Sequence, residues 1–154
     1  MTGSALVIIE GEPVGKGRAK ASRQGGFIRM YTPEKTRSYE QAVADEARKA
    51  MAGREPIVKP VDLELVLVFG IPASWSKKKR AAALAGEIYP CVKPDVDNVV
   101  KAICDSFNAI VWVDDVQVVD LTARKRYGEH PHVEARITPL HHPADRGEHG
   151  TLQG

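Results

Sequence analysis

Between Lys93 and Asp120 the chain reads KPDVDNVVKAICDSFNAIVWVDDVQVVD, a segment that holds Asp95, Asp97, Asp105, Asp114, Asp115 and Asp120 with Lys101 among them. Two or three converging carboxylates make an all-oxygen site for a hard divalent cation such as Mg²⁺, the usual machinery for cleaving a phosphodiester. Asp97, Lys101, Asp105 and Asn108 recur at steps of four and three, so a helix would align them on one face, with the lysine one turn from an aspartate on each side. Asp114 or Asp115 would complete the set if the chain returned along that helix, which at ten to thirteen residues spans only about 15–20 Å. A structural reading stands beside this one: Asp95 as a helix cap, Asp97 paired with Lys101, and Asp114 with Asp115 in a turn. Taken singly, each aspartate is more often structural.

Several elements must position these residues. Leu6 to Glu10 reads as a first strand closed by Gly11 and Pro13, and Gly15 to Gly26 as a basic loop. Thr32, Pro33 and Glu34 open a first helix that keeps its spacing through Tyr39, Val43, Ala47 and Ala50 to about Met51. Asp62 to Ile71 has a strongly apolar face and predicts a central strand. Ser74 or Ser76 caps a short helix that opens on Lys77, Lys78, Lys79 and Arg80. Pro94 disfavours helix at Lys93, so Asp95 or Asp97 can cap the main helix, whose stripe is Val99, Val100, Ile103, Cys104 and Phe107. Ile110 to Val113 reads as a short extended run. Val116 to Tyr127 reads as a long strand with Val119, Leu121 and Ala123 packed and Asp120, Thr122, Arg124 and Arg126 outward. His132 to Thr138 is the last strand. The expected organisation is one domain over residues 1–138 and a disordered tail over 139–154.

Composition sets the outer bounds. With 154 residues, 43% of them hydrophobic and 27% charged, the chain suits one domain with a real core. Its net charge of +2 is small, so attraction to a polyanion must come from local arrangement. Two cysteines, Cys91 and Cys104, make no disulfide framework, and neither a signal peptide nor a membrane-length apolar run is present, so the expected setting is the cytoplasm. His130, His132, His141, His142 and His149 could be read as a zinc site, but no second cluster with ligand spacing supports it.

The acidic segment as a whole, KPDVDNVVKAICDSFNAIVWVDDVQVVDLTARKRYG, resembles the core motif of the RusA family of Holliday junction resolvases, small phage and prophage endonucleases. The likeness extends to GEPVGKGRAK, YTPEKTRSYEQAV and FGIPASWSKKKRAAALAG, and so covers about Val7 to Ile137. It departs at Ala19, where such loops often carry proline. The resemblance implies an α/β (α+β mixed) single domain with a mixed four-stranded sheet packed by two main helices, forming a homodimer. It implies catalytic Asp95, Asp97, Lys101 and Asp115, with Mg²⁺ (Mn²⁺ as substitute) on Asp95, Asp97 and Asp115 and Asp114 as runner-up. Asp105 would be a structural residue or one that orients Lys101. Lys16, Arg18, Lys20, Arg23, Lys77, Lys78, Lys79, Arg80, Arg124 and Arg126 become phosphate contacts on branched, four-way DNA. The implied activity is a paired, symmetric nick that resolves the junction in DNA recombination and repair. Trp75 and Tyr89 are the nearest aromatics that could wedge a junction open, and both read rather as packing residues. Rival readings are a non-catalytic branched-DNA-binding phage accessory and a metal-dependent hydrolase of small nucleotides, for which basic arms would be unnecessary.

Overall fold

A computed structural model gives the fold and describes residues 3–17, 20–24, 27–31 and 34–145. Alternating apolar residues build a mixed four-stranded sheet in the order β1-β6-β4-β5, from β1 (Ala5–Glu10), β4 (Val61–Gly70), β5 (Val118–Gly128) and β6 (His132–Pro139). β4 and β5 run parallel, and the other neighbours are antiparallel. A separate antiparallel hairpin pairs β2 (Lys20–Gln24) with β3 (Phe27–Tyr31). The expected mixed sheet is present, and the stretch expected to be a loop from Gly15 to Gly26 contains a strand instead. Its β-branched content is low, so the hairpin carried little strand signal in the sequence.

One sheet face is built from Val7 and Ile9, from Leu63, Leu65 and Leu67, and from Val133, Ala135 and Ile137, all buried. Two helices share that core: α1 (Glu34–Met51), through Tyr39, Val43, Ala47 and Met51, and α3 (Val96–Phe107), through Val99, Ala102, Ile103 and Phe107. The parallel pair β4 and β5 needs a crossover, and α2 (Lys77–Leu84) and α3 form it. The opposite face carries Asp62 and Glu64 beside Asp120 and Thr122 at one end, and Arg124 and Arg126 at the other. Among the described residues no helix is long and apolar enough to cross a membrane.

Three expectations are corrected. Ile110 to Val113 is a turn touched only by isolated bridges from Trp112 to Ile57 and Asn108, with Val111 and Trp112 fully buried. Residues Asp115–Gln117 form a 3₁₀ turn, so the long strand begins at Val118 rather than Val116. Val119 and Leu121 are exposed rather than packed, because β5 is the edge strand and its register shifts opposite Val61 and Asp62. β6 ends at Pro139, and the Leu140 amide donates to the Pro60 carbonyl at 2.7 Å. Most of the expected disordered tail, residues 146–154 with His149, lies outside the described residues, as do Arg18 and the helix start expected at Thr32 and Pro33.

Burial raises the Asp62 carboxyl above its ordinary range, and the charges of Asp120 and Glu64 add to the rise. A carboxyl raised by folding destabilises the fold while ionised, and this cost vanishes once both folded and unfolded forms are protonated. Asp62→Asn should therefore raise the melting temperature at neutral pH. Scanning calorimetry at descending pH should show the gain shrinking and disappearing below the unfolded value of 3.8.

Candidate active site

The acidic site begins where α3 begins. A cis Lys93–Pro94 bond leads into Asp95, which occupies the N-cap with extended backbone and accepts the Val99 amide at its carbonyl at 3.2 Å. Its side chain makes no capping bond. An aspartate here normally bonds the exposed amides of the first turn, a contribution of about 1 kcal/mol. The Asp95 carboxylate is thus left free for another partner, contrary to the capping role the sequence allowed it. Asp97 follows in the first turn, exposed, where the helix dipole favours negative charge.

The buried stripe of α3 turns Asp97, Lys101 and Asp105 outward, as the spacing predicted. Among the described residues no salt bridge joins Lys101 to Asp97 or Asp105. Asp105 instead binds the Lys16 ammonium at 2.8 Å, and the same Nζ reaches Glu40 at 3.1 Å. Of the two readings of Asp105, a structural residue or one that orients Lys101, this pairing matches the structural one. Its cause is backbone placement: the Lys16 amide donates to the Asn98 carbonyl at 2.9 Å, which lays the lysine stem along α3.

Asp114 and Asp115 divide their tasks. Asp114 caps the 3₁₀ turn by accepting from the Val116 amide, while the Gln117 Oε1 accepts from the amides of Val113 and Asp114, each at 2.9 Å. Gln117 Nε2 donates to the carbonyls of Ile57 and Lys59, both at 2.8 Å. Asp115 takes no part in the cap. A hydrogen bond with Asp114 holds its carboxyl above the usual range, with burial and the charges of Asp114 and Asp105 adding to the effect. The segment after α3 was expected to return to the helix start. Gln117 Nε2 and the Val113 amide tie it to the Ile57–Lys59 loop, and the charges of Asp115 and Asp105 both act on the Cys104 thiol.

The donor chemistry of Asp95, Asp97 and Asp115 suits a hard cation, since all are carboxylates and Asp115 is crowded by like charge. Among the described residues, however, no three His, Cys, Asp or Glu side chains converge closely enough to hold a metal. That includes the histidines: His132 turns to the His130 carbonyl and to Glu134, and His141 to Lys59. Cys104 is no nucleophile, because burial and the nearby Asp115 and Asp105 push its thiol up to about 12. A cleft of about 440 Å³ opens at the α3 N-terminus, walled by Asp95, Asn98, Lys16, Lys35, Lys93 and Thr36. A larger hollow of about 650 Å³, lined by residues including Ile57, Lys59 and His141, contains no carboxylate and stands apart from this chemistry.

The basic candidates fall into separate groups. Lys77, Lys78 and Lys79 are exposed on α2, capped by the Ser76 hydroxyl, with Arg80 half-buried behind them. Arg124 is exposed on β5, whereas Arg126 donates to the Lys125 carbonyl and lies 5.0 Å over the Tyr89 ring. Lys20 and Arg23 belong to β2. Trp75 packs edge-on against Tyr127 at 5.2 Å with the Lys79 ammonium 3.9 Å above it, as a packing aromatic should; Tyr89 is 58% exposed and its described partner is Arg126.

Gln117, Glu40, Thr36, Lys35 and Lys93 were not singled out from sequence. For Gln117 a signal existed: Asp114 followed three residues later by Gln is a capping-box pattern. Losing both ends of its amide should cost roughly 2 kcal/mol, several modest hydrogen bonds taken together. In Gln117→Ala, hydrogen exchange at the Val113 and Asp114 amides should accelerate while that of the central strands stays near the parent's, offset only by the global loss.

Comparison with known proteins shows the family. The family model for endodeoxyribonuclease RusA matches residues 10–138. An uncharacterized protein of Bacillus subtilis (strain 168), YqaN, is 39% identical over 131 residues, covering 84% of this chain and 92% of that protein. The matched span runs from the end of β1 through β6 and takes in every acidic residue described above, and on that extent the chain belongs to the RusA endodeoxyribonuclease family.

Proposed function

We propose that this protein is a Mg²⁺-dependent, structure-specific endodeoxyribonuclease that resolves four-way DNA junctions by paired symmetric nicks. The observation that carries the reading is the uncapped Asp95 carboxylate in a lysine-walled cleft, with exposed Asp97 in the first turn of the helix it opens, within a chain of an endodeoxyribonuclease family. Asp95, Asp97 and Asp115 would hold the cation, with Mn²⁺ as a substitute and Asp114 as runner-up for the third position. Bound there, Mg²⁺ supplies Lewis acidity at the phosphate and a water more easily deprotonated.

The remaining work belongs to the chain. The Lys101 ammonium has no described ion-pair partner and provides fixed positive charge where the attacked phosphate gathers negative charge. Lys20, Arg23, the Lys77–Arg80 cluster and Arg124 with Arg126 bind the DNA backbone, and Arg18 joins them from the sequence. Such contacts position the duplex arms without reading bases. The expected product is a nick with a 5′ phosphate. A junction is nearly two-fold symmetric, so two matched cuts call for a C₂ homodimer with paired sites. The setting we infer is cytoplasmic, in recombination and repair of phage or prophage DNA, by residues 1–138 as the working domain.

A non-catalytic branched-DNA-binding accessory is the alternative, and it leaves the free carboxylates of Asp95 and Asp97 without a task. Incubating a synthetic four-way junction with Mg²⁺ should give paired nicks that mononucleotides do not compete away. Asp97→Asn should lower that rate by at least about 10²-fold while junction binding persists, as removal of a metal ligand does. If the variant cuts as fast as the parent, the metal-site assignment is wrong. If the parent binds junctions but leaves them intact in Mg²⁺ and in Mn²⁺, the accessory reading replaces this one.

A further inference from the structure

The segment between β1 and the hairpin is held unusually firmly for a basic loop. Gly15 packs so closely on α3 that a Cβ there would lie 2.9 Å from the Pro94 Cβ and 3.0 Å from the Asn98 Cβ. The next amide, of Lys16, donates to the Asn98 carbonyl at 2.9 Å, and the amide of Gly17 donates to the Thr36 hydroxyl of α1, also at 2.9 Å. Thr36 is only 3% exposed, so breaking this part-buried hydrogen bond would leave its hydroxyl without that partner. Beyond the backbone, the Lys16 ammonium joins Glu40 of α1 to Asp105 of α3, and all three side chains are at least partly shielded, at 34%, 21% and 44% exposure.

A single exposed ion pair contributes little. This one differs because the lysine is shared by two carboxylates on two helices, and the consecutive amides of Lys16 and Gly17 are bonded to α3 and α1. The ammonium has its counter-charges already, Glu40 on α1 and Asp105 on α3. A phosphate contact at Lys16 would have to displace two carboxylates.

We propose that Lys16 is a positioning residue rather than a phosphate contact: its bridge between Glu40 and Asp105 fixes the acid-bearing helix α3 and the root of the basic hairpin in one geometry. The proposal rests on the endonuclease reading for its effect on rate, but not for the bridge itself. Through it, a hairpin that binds DNA is referenced to the same helix that carries Asp95, Asp97 and Lys101. Glu40 and Asp105 are positioning residues in the same sense, acting through Lys16.

The experiment compares Lys16→Ala, Lys16→Arg, Glu40→Gln, Asp105→Asn and the Lys16→Ala/Asp105→Asn double variant with the full-length parent, after circular dichroism confirms folding. Junction cleavage should lose about tenfold in kcat with KM little changed in Lys16→Ala and Asp105→Asn, the double variant should be no worse than either, and Lys16→Arg should recover most of the loss. Glu40→Gln, which removes the α1 partner of the bridge, should move the rate in the same direction. Junction affinity measured across salt concentrations should keep the parent's slope, whereas loss of a phosphate contact would reduce that slope by about one. A slope reduced in Lys16→Ala overturns the proposal whatever the rate does. Hydrogen exchange of the Lys16 and Gly17 amides decides the matter independently of catalysis. A common loss of protection in Lys16→Ala, Glu40→Gln and Asp105→Asn supports the bridge, and protection equal to the parent's refutes it. If the parent cuts no junction, the endonuclease reading falls, and the exchange data still settle the role of Lys16.

Discussion

The burial of one stripe of α3 against the sheet is the constraint on which the site depends. Val99, Ala102, Ile103 and Phe107 are fully buried beside α1 and the central strands, and each large side chain among them contributes on the order of 1.5–3 kcal/mol. Consecutive helical residues are set about 100° apart, so a slip of one residue would turn Asp97 or Lys101 toward that core. An unpaired buried charge costs several kcal/mol, far more than the roughly 1 kcal/mol given up by the unmade cap at Asp95. Packing therefore decides the rotation of the helix, and the polar face accepts the rotation it is given. The exposed carboxylates at its start are a consequence of how the opposite face packs.

A second anchor sets the far end. Phe107 and Trp112 meet edge to face at 5.4 Å, and the Trp112 indole N–H donates to the Asn108 side chain at 2.7 Å. This pair closes the turn after α3 and buries it under the loop at Ile57. Gln117 then spends both ends of its amide on backbone groups, so the 3₁₀ turn is held by four hydrogen bonds from one side chain. In that frame Asp114 is consumed by the cap and Asp115 is not. Two adjacent aspartates that look equivalent as a pair are made unlike by a glutamine two positions on.

These two anchors differ in how much of them could be read from the sequence. The α3 stripe was legible because apolar residues at helical spacing over three turns leave few alternatives, and its charged face followed from the same periodicity. β1, β4 and β6 were legible for the same reason at a period of two. The Ile110–Val113 run was misread because four apolar residues fit a strand or a buried turn equally well, and the choice was made by Trp112 finding Phe107, a contact no local pattern contains. β5 was misplaced in burial, not in existence: alternation fixes which face a side chain takes, but only sheet order makes β5 an edge and leaves Val119 and Leu121 exposed. The partner of Asp105 was out of reach for a related reason. Helical spacing offers Lys101 at four residues, while Lys16 lies 89 positions away and arrives only because Gly15 lets the backbone close on Asn98.

Charge placement on α2 follows a different logic from that on α3. Lys77, Lys78 and Lys79 stand in its first turn, where the helix dipole disfavours cations by about 0.3–1 kcal/mol each in weakly screened conditions. The Ser76 hydroxyl satisfies the Lys79 amide, and the Trp75 ring lies under the Lys79 ammonium at 3.9 Å, an arrangement that returns roughly 0.5–1 kcal/mol at an exposed site. Lys77 and Lys78 have no such compensation among the described residues. A phosphate at this position would meet both the ammonium groups and the free amides of the first turn, so the unfavourable dipole term would be offset by the ligand. On α3 the signs are reversed: Asp95 and Asp97 stand at a helix start whose dipole favours negative charge, so the charges there need no ligand to offset them.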